Sequence, residues 1–218
     1  MLLPIYVMYD SKMDKTEIRA IEDAIDIAEE MFSERIIVNY ETGSRAFSEF
    51  SSADWYLRNA GRKVLGRRTG VMAEDILQLF NREPLQEVFP HFTVLLTSKT
   101  LILNDVRVTD AVEGMAAVVS LAPYKKASTH DRYDAVRAKV LHGIGHVIGI
   151  PDPDRGELNF ALSDDGFIIG CHCQDVNCIM HDEEDPIGWI RFANKIKQRD
   201  SKKIFCNNCL NDIEQLDL

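Results

Sequence analysis

The chain predicts an α+β fold in which a twisted, mostly parallel mixed sheet is flanked by helices. Two observations lead there. Over the first half of the chain, apolar β-branched runs alternate with amphipathic helical segments, the pattern of strands joined through helices. A long helical segment, 128–150, then leads into a tail that holds all five cysteines, each beyond residue 170. At 218 residues, 45% apolar and 28% charged, the composition is that of one domain with a sizeable core. The expected organisation is a single unit over 1–218, with a sheet-and-helix part at 1–150 and a lower part at 151–218.

Taken in order, residues 4–9 form an apolar run with strand character, and 16–32 place Ile18, Ile21, Ile25, Ile27 and Phe32 near helical spacing. Residues 35–40 (RIIVNY) are β-branched and predict a second strand. Residues 43–68 are polar and punctuated by glycine, residues 71–80 predict a second helix, and 91–103 give two short apolar runs, one strand or a hairpin. Residues 114–124 predict a strand ended by Pro123. There are no internal repeats.

Charge and length narrow the function. The net charge of −10 argues against nucleic acid as a partner, because binding phosphates needs a basic face. The basic run Lys195, Lys197, Arg199, Lys202 and Lys203 is read as a solvated helix face. No stretch approaches the roughly 20 apolar residues needed to cross a bilayer, and the opening MLLPIYVMYD lacks the marks of a secretory leader. The expectation is a cytoplasmic protein with reduced thiols and no membrane partner. The sequence says nothing of oligomeric state.

The segment 128–150 reads STHDRYDAVRAKVLHGIGHVIGI. Ser128 with Asp131 three residues on has the form of a helix start. Val136, Val140, Ile144 and Val147 make an apolar stripe, and His142 and His146 fall nearly opposite it beside Ala135, Ala138 and Gly149. Residues four apart share a helix face, so two imidazoles there can grip one zinc ion; the plain alternative is two histidines spaced by chance. Three glycines, Gly143, Gly145 and Gly149, fall within seven residues. Each costs a helix interior about 1 kcal/mol relative to alanine, which calls for a compensating reason. Gly149 has one as a left-handed helix terminator.

Downstream, Cys173-x4-Cys178 and Cys206-x2-Cys209 have spacings that suit a tetrahedral zinc–thiolate site. Disulfides are disfavoured in a reducing compartment, and free buried cysteines need not fall into two ligand-spaced pairs. In an extended segment His172 faces the helical histidines while Cys173 faces the second metal, since neighbouring side chains point in opposite directions. Cys171 is left over.

Together these residues resemble the archaemetzincins, a family of metzincin metallopeptidases. His142, His146 and Gly149 match the first part of the metzincin pattern, a helical histidine pair followed by glycine. His172, Cys173, Cys178 and Met180 match the archaemetzincin continuation, and Cys206 with Cys209 its final cysteine pair. The resemblance implies a zincin-like, metzincin-type domain with a C-terminal four-cysteine zinc subsite, one zinc ion there and one on the histidines. It also implies a cleft lined by an edge strand near 116–120, Met180 beneath the metal as an apolar floor, and aminopeptidase-like action on peptides or protein termini.

Two departures bear on activity. Gly143 stands where the family carries its general-base glutamate, so no catalytic residue is assigned and a peptidase-like pseudoenzyme is expected. A positioned base contributes roughly 10²–10⁴-fold. The third histidine is also delayed by an insertion, 150–170, which puts Asp152 at the usual spacing for a third ligand as an alternative to His172. Glu157, Asp164 and Asp165 of that insertion are the candidate substitute bases for an active zinc peptidase. A zinc-stabilised interaction module without a cleft is the remaining reading.

Overall fold

A computed structural model describes residues 3–32, 38–41, 52–156, 158–162, 168–181, 183, 185–196 and 204–215. Strand β1 (Ile5–Tyr9) leads into helix α1 (Lys15–Phe32). Asp14 starts that helix with a reciprocal cap: its carboxylate accepts from the Thr16 and Glu17 amides at 2.8 and 3.0 Å, and Glu17 accepts from the Asp14 amide at 2.9 Å. Strand β2 (Val38–Glu41) follows, with 35–37 of the expected strand lying outside the described residues.

Next come α2 (Ala53–Asn59), β3 (Arg62–Leu65), β4 (Arg68–Met72), α3 (Ala73–Asn81) and α4 (Pro84–Val88). Then follow β5 (Phe92–Thr97), β6 (Leu101–Leu103), β7 (Val106–Val108), β8 (Asp110–Glu113) and β9 (Ala116–Ser120). A 3-10 turn (Ala122–Lys126) leads into α5 (Thr129–Val147). The hairpin β10 (Leu158–Leu162) and β11 (Ile168–Cys173) precedes α6 (Pro186–Ile196) and α7 (Asn207–Gln215).

The main sheet runs β2-β1-β5-β9-β8, parallel throughout except for β8, which pairs antiparallel with β9. A second sheet, β3-β4-β6-β7, mixes parallel and antiparallel pairs. The α+β class and the mostly parallel sheet agree with the sequence. Three local expectations change. The helix expected over 71–80 begins only at Ala73, because Val71 and Met72 pair with Leu101 and Ile102. The segment 91–103 is neither one strand nor a hairpin: β5 is buried in the main sheet and β6 joins the second.

The strand at 116–120 is internal, not the edge. At Gly114, whose φ of +57° suits glycine, the chain turns β8 back along β9 and makes β8 the terminal strand. The expected edge is therefore displaced by one strand.

Alternation along the central strands splits the core in two. Val94, Leu96, Ala117 and Val119 face a cluster shared with α1, α5 and α6, while Leu95, Ala116 and Val118 face α2 and α3. Helix α5 starts at Ser128, whose hydroxyl accepts from the Asp131 amide at 3.2 Å. It is buried on nearly all sides, and its glycines explain how. A Cβ at Gly143 would stand 2.9 Å from Val119 Cγ2 and 3.5 Å from Val94 Cγ1. One at Gly145 would stand 2.4 Å from Met180 Sδ, and Gly149 has a φ of +82°. The first two glycines buy contact distance and the third a change of direction.

Gly143→Ala is therefore expected to destabilise the fold. Overpacking typically costs about 1–3 kcal/mol, which outweighs the roughly 1 kcal/mol gained in helix propensity. A denaturant midpoint equal to or above wild type would contradict this packing argument.

Candidate metal centre

Residues on α5 and β11 meet at one point. His142 and His146 lie one turn apart on α5, and Nε2 of His146 stands 2.9 Å from Nε2 of His142. Nε2 of His172, from β11, is 3.2 Å from Nε2 of His146. Ligand nitrogens around a tetrahedral zinc sit about 3.3 Å apart, given bonds near 2.0–2.1 Å. The carbonyl of Ile179, which can only accept, lies 2.8 Å from His142 Nδ1. In the neutral ring the proton therefore sits on Nδ1 and a bare Nε2 faces the other two rings. Three ring nitrogens facing each other so closely cannot all be satisfied by shared protons, whereas one cation satisfies them together.

Burial, followed by the neighbouring His142 and His172, pushes the His146 pKa well below its ordinary value, the form a metal requires. Met180 is fully buried against Gly145, beneath the helix that carries the pair.

Side chains not anticipated from the sequence surround this cluster. Asp110, the first residue of β8, places Oδ2 3.2 Å from His142 Nε2. Lys139, one turn before His142 and 2% exposed, donates to the same oxygen at 2.9 Å. Its ammonium lies 4.3 Å from the ring centroid of Trp189, whose Nε1 donates to the Ala135 carbonyl at 3.1 Å. Burial alone would raise the Asp110 pKa, but Lys139, His142 and His146 overcome it and hold the carboxyl well below its usual range. The Tyr124 hydroxyl is buried with no hydrogen-bond partner among the described residues. Burial, then Asp110, Glu183 and Asp185, push its pKa well up, so it stays protonated.

The second cluster is Cys173, Cys178, Cys206 and Cys209, whose sulfurs all lie within 4.8 Å of one another. Cys173 to Cys206 and Cys178 to Cys209 are both 3.6 Å, against about 3.8 Å expected for sulfurs on a tetrahedral zinc with 2.3 Å bonds. A tight turn presents Cys178, its amide donating to the Asp175 carbonyl at 2.9 Å. Cys209 lies in the first turn of α7, whose amide dipoles favour negative charge. Hydrogen bonding within the cluster, led by Cys178, pulls the Cys173 pKa down to about 7, and Cys173 in turn pulls Cys206 down. Cys178 and Cys209 are pushed up as the donors to those thiolates.

Arg155, from the insertion, caps this cluster. Its guanidinium lies 3.6 Å from Cys209 Sγ and 3.7 Å from Cys173 Sγ, and it also pairs with Asp212. Asp152 sits on that side of the molecule, its amide donating to Asp212 at 3.2 Å, and it is not in the histidine cluster. Glu157, Asp164 and Asp165 lie outside the described residues, as do Lys197, Arg199, Lys202 and Lys203 of the basic run. Cys171 is half-buried, and burial pushes its thiol up to about 11.

With this geometry established, comparison with known proteins gives the backbone a context. No protein-family model matches the chain, and no curated protein matches it in sequence. Among solved structures, it is similar to the crystal structure of archaemetzincin from Methanopyrus kandleri, with a TM-score of 0.63, 17% identity, and 98% of this chain and 94% of that chain covered. The fold is that of an archaemetzincin. Metalloproteinase-II from Bacteroides fragilis also matches, with a TM-score of 0.41 and 11% identity over 88% of this chain and 52% of that chain. On the archaemetzincin fold, the histidine and cysteine clusters are both candidate zinc-binding groups.

Two outcomes follow from the electrostatics. Arg155→Ala should release metal from the cysteine cluster about 10- to 100-fold more readily, the usual effect of losing an outer partner of a metal ligand. Chelator-competition titration reads this, and an unchanged affinity would remove Arg155 from the site. The metal-free protein should also lose stability on acidification. The folded pKa of His146 lies below its unfolded value near 6.5. The unfolded chain therefore binds the extra proton, and the His146 contribution, fully present above about pH 6.5, is lost as pH falls through the folded pKa. Melting temperatures of metal-free protein between pH 8 and 5 test the sign, and a rise on acidification would refute it.

Proposed function

We propose that this chain is a zinc protein built for peptides, holding one zinc ion on His142, His146 and His172 and a second on Cys173, Cys178, Cys206 and Cys209. The observation that carries the reading is the meeting of three histidine nitrogens at distances that fit tetrahedral zinc. Three protein ligands leave a fourth position open, the arrangement of catalytic rather than structural zinc. Zinc in such a site polarises a peptide carbonyl and acidifies bound solvent. The terminal strand β8 lies beside the cluster, because its first residue contacts His142. A sheet edge can hold an extended peptide or protein terminus by strand addition.

Hydrolysis in this site lacks a helix-borne carboxylate. Gly143 lies against Val119 and Val94, so a glutamate introduced there meets the sheet before it reaches a substrate. The natural protein is thus a slow peptidase or a peptide-binding relative of one, with a rate about 10²–10⁴-fold below that of an enzyme with a positioned base. The acidic charge and the five free cysteines fit a partner that is not nucleic acid and a reducing, cytoplasmic setting. Among the described residues no helix is long and apolar enough to cross a membrane.

Metal analysis of the purified chain tests this directly. Two zinc ions per chain are expected, falling to one in the double variant His142→Ala, His146→Ala and to one in Cys206→Ser, Cys209→Ser. A wild-type chain that holds a single zinc, and holds it unchanged when the histidines are removed, is left as only a zinc-stabilised interaction module.

A further inference from the structure

We propose that Asp110 supplies, from the sheet edge, the carboxylate acceptor that α5 lacks at Gly143, and that it receives a hydrogen bond from whatever ligand takes the open position of the histidine site. The inference rests on the zinc reading above. Asp110 lies 3.2 Å from His142 Nε2 through Oδ2, yet it is not among the three residues whose ligand atoms are mutually close. It therefore stands beside the metal position rather than in it.

Its partners fix it there. Lys139 holds Oδ2 at 2.9 Å, and the Thr109 hydroxyl donates to Oδ1 at 3.2 Å. Lys139 is itself confined between Asp110 and the face of Trp189. A buried cation so placed would be satisfied by Asp110 alone, but the carboxylate also faces His142. Once a metal takes the lone pair of Nε2, that nitrogen has no proton to give. Oδ2 then keeps Lys139 and has an unused lone pair directed at the site. The hydroxyl of Tyr124, buried and without a hydrogen-bond partner among the described residues, is a second polar group within electrostatic range of Asp110. Gly143 and Asp110 thus belong together: α5 packs too tightly on the sheet to carry the acceptor, and the strand beside it carries one instead.

The probe is acetohydroxamic acid, a zinc chelator whose N–H and O–H donate to a neighbouring acceptor, set against azide, an anionic zinc ligand with nothing to donate. Both are titrated calorimetrically into the two-zinc protein, its Asp110→Asn variant, and Asp110→Ala with and without formate. Asp110→Asn should keep both zinc ions, bind hydroxamate about 10- to 150-fold more weakly, as for loss of a hydrogen bond to a charged group, and bind azide as well or better. Formate should recover hydroxamate binding in Asp110→Ala. If hydroxamate affinity is unchanged while zinc is retained, Asp110 serves only as the counter-ion of Lys139 and the proposal is overturned. Loss of one zinc in Asp110→Asn would make it a metal ligand and overturn the proposal equally. A wild-type chain with no zinc on its histidines would sink the underlying zinc reading instead, a failure seen before either probe is added.

Discussion

The close approach of α5 to its surroundings governs the rest of the molecule. At Gly143 the helix backbone comes near enough to the sheet that even one added carbon would meet Val119, and at Gly145 it comes nearer still to Met180. Helices normally pack at 8–10 Å between axes because side chains intervene; here two positions give up theirs. The gain is placement. His142 is brought level with the start of β8 and with the Ile179 carbonyl that sets its tautomer, and His146 is carried into reach of His172. Wider packing would carry the α5 rings away from Asp110 and from the third ring together.

Each cluster also carries its own countercharge. The cysteine cluster concentrates negative charge, and Arg155 lies over two of its sulfurs with α7 directing its amides toward the same point. The histidine cluster has the reverse arrangement, in which a carboxylate faces the rings and a buried ammonium restrains the carboxylate. Neither Lys139 nor Asp110 is a group that a protein buries without a partner, because an isolated buried charge costs several kcal/mol. Their pairing within reach of His142 keeps an acid at a site where α5 itself presents only glycine.

Much of this was legible in the sequence where chemistry is local. The histidine pair is separated by one helical turn, the cysteine pairs by short fixed spacings, and the alternation of strands and helices needs no long-range information. Gly143 and Gly145 announced themselves as an energetic anomaly, although the contacts that justify them, Val119 and Met180, lie 24 and 35 residues away. What the sequence concealed is what the topology brings together. Asp110 begins a four-residue strand with no motif around it, and its relevance depends on the turn at Gly114 that makes β8 the terminal strand. Arg155 lies in an insertion rich in acids, where a single cation carries no ligand-like spacing. The strands over 62–72 were hidden because β3 is largely exposed, β4 is buried only at its end, and both carry little hydrophobic periodicity.

The two clusters are joined by a single strand, and this gives the cysteines a purpose beyond folding the tail. His172 and Cys173 are adjacent on β11, so the pleat sends one toward α5 and the other toward the sulfurs. The Cys173 amide is tied to the Met180 carbonyl at 2.8 Å, and the Ile179 amide to the Ile204 carbonyl at 2.8 Å. One short stretch thus sets the third histidine, the buried methionine and the hydrogen bond that orients His142. The hairpin would otherwise have to hold the His172 ring to within a fraction of an ångström through β10 alone. A metal joining Cys173 and Cys178 to Cys206 and Cys209 would anchor that stretch from its far side, so that order at the sulfurs would become order at the histidines.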